Sequence, residues 1–352
     1  MKKIFAAVCL FGLVACNAIE QPETPVLPEN GNQVVFALGG EVANPSIVTK
    51  STSAASETAV STYKVVLFKS GAVYAMADAT AGASTVAVNV EDGTYNCWAI
   101  VNAPAGFSVS MSTTEAQLAA MTSAITDNTM SKFVMTGVES NKAITSSTGT
   151  VTIPVYRHIC KVEVDKISAN FDGTYYDGKT LTVNKIYLTN VSNAAKFDHT
   201  PSTSALNGTW YNKLVYTSNT LVNSFLYEAP SGGITINDNT SNSTARYFYP
   251  YPNASTNTAA CSSWPTTGNP PCTRLVFECS LDGDTCYYHI DIPNMACNTL
   301  YKITECTIKN MGGKDPEHNL ETTSINFKIS VQNWATGFTS SFTFDDSGCH
   351  QN

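Results

Sequence analysis

The sequence predicts an all-β protein with one short helix, organised as two β-sandwiches in tandem. Three observations predict it. Short runs with period-2 alternation recur along the chain, bounded by Gly, Pro, Asn and Asp clusters. Charged residues are only 14% of the 352, while Ser, Thr, Asn, Tyr and Val abound, a mixture suited to sheets with one wet face. The alternating pattern also restarts near Pro154, leaving two halves each long enough to bury a core.

The chain opens with basic Met1-Lys2-Lys3, an apolar stretch from Ile4 to Leu13, and Leu13-Val14-Ala15-Cys16. That stretch is too short for a final membrane anchor, and the four residues that end it form a lipobox. Residues 1–15 therefore read as a lipoprotein signal, and Cys16 as the lipidated first residue of the mature chain. Two or more acyl chains would anchor it stably, at roughly 0.8 kcal/mol per buried methylene. Residues 16–32 hold three prolines in a run without periodicity and read as a tether. Val34, Phe36 and Leu38 then alternate with Val35 and Ala37, a strand with one apolar face that Gly39-Gly40 ends.

After a loose polar stretch around Thr49-Lys50-Ser51-Thr52-Ser53, strands are predicted at Tyr63–Lys69, Thr85–Val90 and Tyr95–Asn102. The last two are expected to pair as a hairpin across Glu91-Asp92-Gly93-Thr94. Ser112-Thr113-Thr114-Glu115 is a capping box, and Leu118, Met121 and Ile125 follow at helical spacing. Phe133–Thr136 and Thr150–Val155 complete the first half. The second half reads as Ile159–Ala169, Leu181–Thr189, Tyr211–Tyr216, Ser224–Glu228, Arg246–Tyr251, Arg274–Cys279, Cys286–Ile292, Leu300–Ile308, Ser324–Val331 and Phe338–Phe344, with a long loop at 253–272. No tandem repeat of short period is present.

The net charge is −8, and loss of Lys2 and Lys3 with no acid makes it −10. No basic run remains to follow nucleic-acid phosphates, and no later segment is apolar enough to span a membrane, so both roles are excluded. Of eleven cysteines, Cys9 leaves with the signal and Cys16 is lipidated, so an odd number remains. The candidate disulfide is Cys279–Cys286, which the Asp282-Gly283 turn sets opposite each other. The cysteine spacings are irregular and lack Cys-x-x-Cys, so no metal site is expected.

No phosphate loop, nucleophile elbow or His-Glu-x-x-His motif occurs, and neither catalysis nor a cofactor is expected. His289 and Asp291 share a strand face, and Glu278, Asp282, Asp284 and Asp291 gather near one hairpin. Both sets read as polar alternation and turn chemistry. Tyr247-Phe248-Tyr249-Pro250-Tyr251 and Trp264 suit either cross-strand packing or stacking on sugars, which keeps a glycan-binding surface lipoprotein open.

Several segments fall in a telling order. The lipobox, proline-rich tether, first strand and Thr49-Lys50-Ser51 are followed by Tyr63-Lys64-Val65-Val66-Leu67-Phe68, Val86–Tyr95 and Ala99-Ile100-Val101-Asn102-Ala103-Pro104. Ile153-Pro154-Val155-Tyr156-Arg157, Lys161-Val162-Glu163-Val164, Leu181–Asn190, Tyr247-Phe248-Tyr249-Pro250, Asn298-Thr299-Leu300-Tyr301-Lys302-Ile303 and Val331-Gln332-Asn333-Trp334 come next. In this order the chain resembles the fimbrillins, the subunits of the type V pili of Bacteroidetes.

The resemblance implies two transthyretin-like sandwich domains, at 33–155 and 156–352, and no enzyme activity. It implies export as an outer-membrane lipoprotein precursor and cleavage by a trypsin-like protease, here between Lys50 and Ser51. It also implies polymerisation with other pilin subunits by strand exchange into a surface fimbrium. The strand within 33–50 carrying Val34, Phe36 and Leu38 would be removable, and Phe338, Phe342 and Phe344 of segment 338–344 would belong to a donor strand. From pattern alone 338–344 serves equally as the last edge strand of its own domain. Two positions depart from the family pattern: Lys50 stands where Arg is usual, and the cysteine cluster at 261–306 suggests an accessory, anchor or tip subunit.

Overall fold

A computed structural model describes residues 31–40, 57–200, 210–259, 261, 263–265, 268–317, 325–334, 342–345 and 348–351. In the first half, strands β1 (Asn32–Gly40), β2 (Tyr63–Lys69), β3 (Ala72–Asp78), β4 (Thr85–Val90) and β5 (Gly93–Val101) precede a short helix, α1 (Glu115–Ala120). Then come β6 (Thr122–Ala124), β7 (Met135–Ile144) and β8 (Thr150–Arg157). Hydrogen bonds run in the order β3-β2-β5-β7-β8-β1-β4. One core draws on both ends of this path: Val34, Phe36, Val88 and Ile153 meet Val65, Leu67, Cys97 and Ala99, so the path folds into a sandwich. The opposite face of β2 and β5 is also covered, since Val66, Phe68, Trp98 and Ile100 pack with Leu118 of α1 and Phe197. Burial on both faces explains why these two strands read as nearly continuous apolar runs.

The second half contains β9 (Lys161–Val164), β10 (Ile167–Ala169), β11 (Thr180–Thr189), β12 (Val191–Ser192), β13 (Ala194–Lys196) and β14 (Trp210–Tyr211). Helix α2 (Asn223–Leu226) leads to β15 (Tyr227–Glu228), β16 (Ile234–Asn237), β17 (Thr240–Asn242) and β18 (Arg246–Phe248). The long strands β19 (Thr273–Leu281), β20 (Asp284–Ile292), β21 (Thr299–Ile308) and β22 (Ile325–Asn333) precede β23 (Phe342–Asp345) and β24 (Gly348–Gln351). One sheet runs β17-β10-β21-β22-β23-β24, with β9 beside β21 and β18 on β9. The other runs β15-β11-β19-β20, with β16 also on β11. A second core lies between them, built from Val162, Val164, Leu181, Val183, Phe277, Tyr288 and Ile303 among others. The halves are joined where β13 pairs with β6.

Five expectations are corrected. Thr85–Val90 does not form a hairpin with Tyr95–Asn102; β4 pairs with β1, and β5 with β2 and β7. The turn between them is a crossover, with Tyr95 Oη donating to Glu91 O at 3.0 Å. The capping box is Thr114 with Gln117, because the Glu115 carboxylate accepts from Trp98 Nε1 and Asn96 Nδ2 instead; Met121 ends the helix and Ile125 lies beyond it. Ile159–Ala169 is two strands, β9 and β10, both parallel to β21. Tyr211–Tyr216 is broken by left-handed backbone at Asn212 and Leu214. Ser224–Glu228 begins as a helical turn, which buries the adjacent Phe225 and Leu226 together as a strand could not.

Candidate functional site

The first strand occupies a slot inside its sheet. β1 is antiparallel to β4, with Val34 opposite Val88 and Phe36 opposite Val86, and parallel to β8, with Leu38 opposite Ile153. Val35 N donates to Gly149 O at 3.0 Å, and Leu38 N to Ser84 O at 2.9 Å. Val34 and Phe36 are wholly buried and Leu38 is 3% exposed, while Val35 between them faces out. Two glycines permit the packing: a Cβ on Gly39 would lie 2.5 Å from Thr152 Cγ2, and one on Gly137 of β7 only 1.7 Å from Pro154 O. Cys16, Lys50, Ser51 and Phe338 lie outside the described residues. Phe342 and Phe344 fall in β23, which pairs with β22 through Ile329 opposite Phe344 and Ser330 opposite Thr343. Beyond β23 the chain forms β24, paired to β23.

Cys279 and Cys286 stand opposite each other in the β19–β20 hairpin, as the spacing predicts, and the Asp282-Gly283 turn has both residues at positive φ. No bond joins them, and all eight cysteines whose side chains are described are free thiols. Burial pushes the Cys97, Cys297 and Cys306 thiols up to about 12, far from the thiolate a reactive cysteine needs. Three of the four acids near this hairpin are engaged one by one, and Asp284 is exposed. Asp291 Oδ1 lies 2.7 Å from Nε of the fully buried Arg274, whose NH1 is 3.0 Å from Glu317; Glu278 meets Lys185, and Asp282 meets Lys179. His289 and Asp291 therefore do not act as a pair.

Of the aromatic run, Phe248, Tyr249 and Tyr251 are buried in the core, the packing alternative of the two that the sequence leaves open. Trp264 is half-buried, 5.3 Å from the Trp210 ring, with Lys213 Nζ 5.4 Å from its centroid. A cavity of about 590 Å³ lies where the halves meet, lined by Trp98, Tyr156, Phe197, His199 and Gln332 among others. Beneath it His158 bonds Ser123 Oγ through Nδ1 at 2.6 Å and Thr136 Oγ1 through Nε2 at 2.9 Å, with the His199 ring 5.0 Å away. Burial first, and the neighbouring His199 next, hold His158 well below the usual imidazole range.

Sequence reasoning missed one buried cluster altogether. Glu57 is 4% exposed, and its Oε1 accepts from Lys161 Nζ at 2.9 Å and Tyr249 Oη at 2.8 Å. Its Oε2 accepts from Trp334 Nε1 at 3.3 Å, and its main-chain O from Arg157 Nε at 2.9 Å. The Arg157 guanidinium lies 4.3 Å from the centroid of Trp334, and burial lowers its pKa to about 9. The only sequence signal was indirect: two basic residues, Arg157 and Lys161, in strands otherwise buried require an acid partner.

The fold is shared with solved structures of bacterial proteins. The chain is similar to a candidate cell adhesion protein from Bacteroides eggerthii, with a TM-score of 0.61 at 18% identity, over 89% of this chain and 98% of that one. It is similar to a fimbrilin from Porphyromonas gingivalis (TM-score 0.56, 14% identity, 88% and 99% covered). It is also similar to the tip fimbrial protein Mfa3 of Porphyromonas gingivalis with C-terminal truncation (0.51, 15%, 86% and 100%). At these identities the likeness is one of fold. No family model matches the sequence, and no curated protein matches it.

Proposed function

We propose that this chain is a fimbrillin, a non-enzymatic structural subunit of a type V pilus, exported as an outer-membrane lipoprotein acylated on Cys16. A trypsin-like protease cuts after Lys50, β1 leaves, and a strand from a neighbouring subunit fills the slot. The carrying observation is β1 itself: a single strand bonded on both edges, whose three inward anchors complete a core otherwise built by β2–β5, β7 and β8. Vacating it exposes two facing ladders of unpaired backbone groups beside an apolar groove, which is the recognition surface for β-augmentation. The C-terminal segment around Phe342 and Phe344 is the donor, resting on its own sheet edge as β23 in the monomer. The two sandwiches are domains at 33–155 and 156–352.

Determining the N-terminal residue of protein sheared from the cell surface tests the reading. A start at Ser51 in an SDS-resistant ladder is expected. Assembled material beginning at Cys16 would instead indicate an anchor subunit that keeps its lipid. A monomeric glycan-binding lipoprotein is the second reading, favoured by Trp264 beside Trp210 and by the aromatic-lined cavity. Full-length monomer retained on immobilised polysaccharide would support it.

A further inference from the structure

We propose that the Glu57 carboxylate is a buried point at which the segments beside both exchangeable ends of the subunit are pinned to its body. This rests on the strand-exchange reading and names the residues that limit the exchange. Glu57 lies just downstream of the proposed cut, and Trp334 directly follows β22, just upstream of the proposed donor segment. Both converge on one carboxylate: Oε2 takes the Trp334 indole N–H, while Oε1 is held by Lys161 at the start of β9 and by Tyr249. Arg157, the last residue of β8, grips the same two residues, donating from Nε to the Glu57 carbonyl and stacking on the Trp334 ring. The Trp334 main-chain N donates to Asn298 O at 3.1 Å, and Asn298 Oδ1 accepts from Arg157.

The chain that follows Glu57 is held independently of β1. The Asn102 side chain is wholly buried; its Oδ1 accepts from Ser61 N and Thr62 N, and its Nδ2 donates to Ala59 O and Phe133 O. A cut upstream of Glu57 therefore frees β1 without loosening the entry to β2. Pull applied through the donor segment arrives at Trp334 and passes through Glu57 into Arg157 and Lys161, where the two halves join. Charged hydrogen bonds suit such a junction, because they are stronger and more directional than apolar contact. Glu57 and Trp334 are thus positioning residues whose effects should be reciprocal.

Hydrogen exchange on the full-length, uncut precursor tests this with Glu57→Gln, which keeps the shape, and Trp334→Phe, which keeps a ring but removes the N–H. Each variant is expected to speed exchange about tenfold or more in both 57–62 and 329–334, with the amides of the β19–β20 hairpin unchanged as the control for folding. If either variant opens only its own segment, the two ends are not pinned at one point and the inference fails. Should Glu57→Gln not fold, Trp334→Phe decides alone through exchange at 57–62. Because the precursor is uncut, the result is independent of cleavage and polymerisation: a surface protein that starts at Cys16 and forms no ladder would defeat the pilin reading while leaving the coupling measured.

Discussion

Replacing Phe36 with alanine should both weaken the precursor and open its slot. The Phe36 ring is wholly buried between β4, β8 and the facing sheet. Phe→Ala at such a site costs about 3–5 kcal/mol, from lost transfer energy and the cavity left behind. Val35→Ala, on the outer face of the same strand, should stay within about 0.5 kcal/mol. If β1 is a plug rather than an integral strand, most of the Phe36→Ala loss falls on occupancy of the slot. A shift of about 4 kcal/mol then raises the open fraction roughly a thousandfold. Denaturant unfolding of full-length precursor measures the first quantity. Uptake of a labelled synthetic peptide spanning residues 338–346 measures the second, and only Phe36→Ala should take it up within hours. Equal uptake by wild type and variant, despite the lost stability, would show that β1 unfolds only with its whole sandwich and would refute the plug.

Acid should destabilise the fold through its buried imidazoles. Burial holds His158 and His199 below 6.5 and His289 at about 4, so the unfolded chain binds more protons below pH 6.5 and stability falls with pH. Each group costs up to about 1.4 kcal/mol per pH unit. Glu317, raised to about 7 by burial, acts in the opposite sense and offsets part of this between pH 7 and 4.5. Denaturation midpoints that do not fall between pH 6.5 and 5, or a slope that His158→Gln fails to flatten, would contradict the assignment. Arg274→Ala strands Asp291 and Glu317 around an empty site and should lower stability by about 3–5 kcal/mol, read by calorimetry. Gly137→Ala must push β7 away from Pro154 O and should cost about 1–3 kcal/mol, with lost protection of Thr136 and Tyr156 amides as its local signature.

What the sequence made legible was faces, and what it hid was partners. Period-2 alternation placed Val34, Phe36 and Leu38 inward without any knowledge of β4 or β8. The same Asp-Gly dipeptide occurs at 92–93 and 282–283 with opposite outcomes. Asp282 and Gly283 both take positive φ and close a two-residue hairpin, whereas Gly93 does not and already lies within β5, whose chain has crossed to the other sheet. Turn chemistry is local, but the choice between hairpin and crossover depends on which sheet has a vacancy. The Glu57 cluster was illegible for the same reason: residues 57, 157, 161, 249 and 334 meet only once both sandwiches exist.

Strands β2, β3, β5, β7 and β8 hold one another in a continuous ladder, and none of those pairings involves β1. Among the described residues β4 is bonded to no strand except β1. Loss of β1 therefore leaves β4 without any ladder partner, while β8 loses its pairing over 150–155 and keeps only the Met135–Arg157 and Thr136–Tyr156 pairs with β7. Val88 and Val90 still favour packing inward, but main-chain groups from Thr85 to Val90 lose their partners, which costs about 1 kcal/mol each where they stay out of water. β8 stays tethered to its sheet at one end and β4 at neither, so β4 should be the first element to open after cleavage and the last to regain protection on polymerisation. Hydrogen exchange on protein cut after Lys50 measures this directly. Fast exchange at 85–90 in the vacated monomer, slowed again in the polymer, is expected, with the β7-paired Tyr156 and Arg157 still protected; equal protection of 85–90 and 156–157 after the cut would mean that β1 has not left the slot.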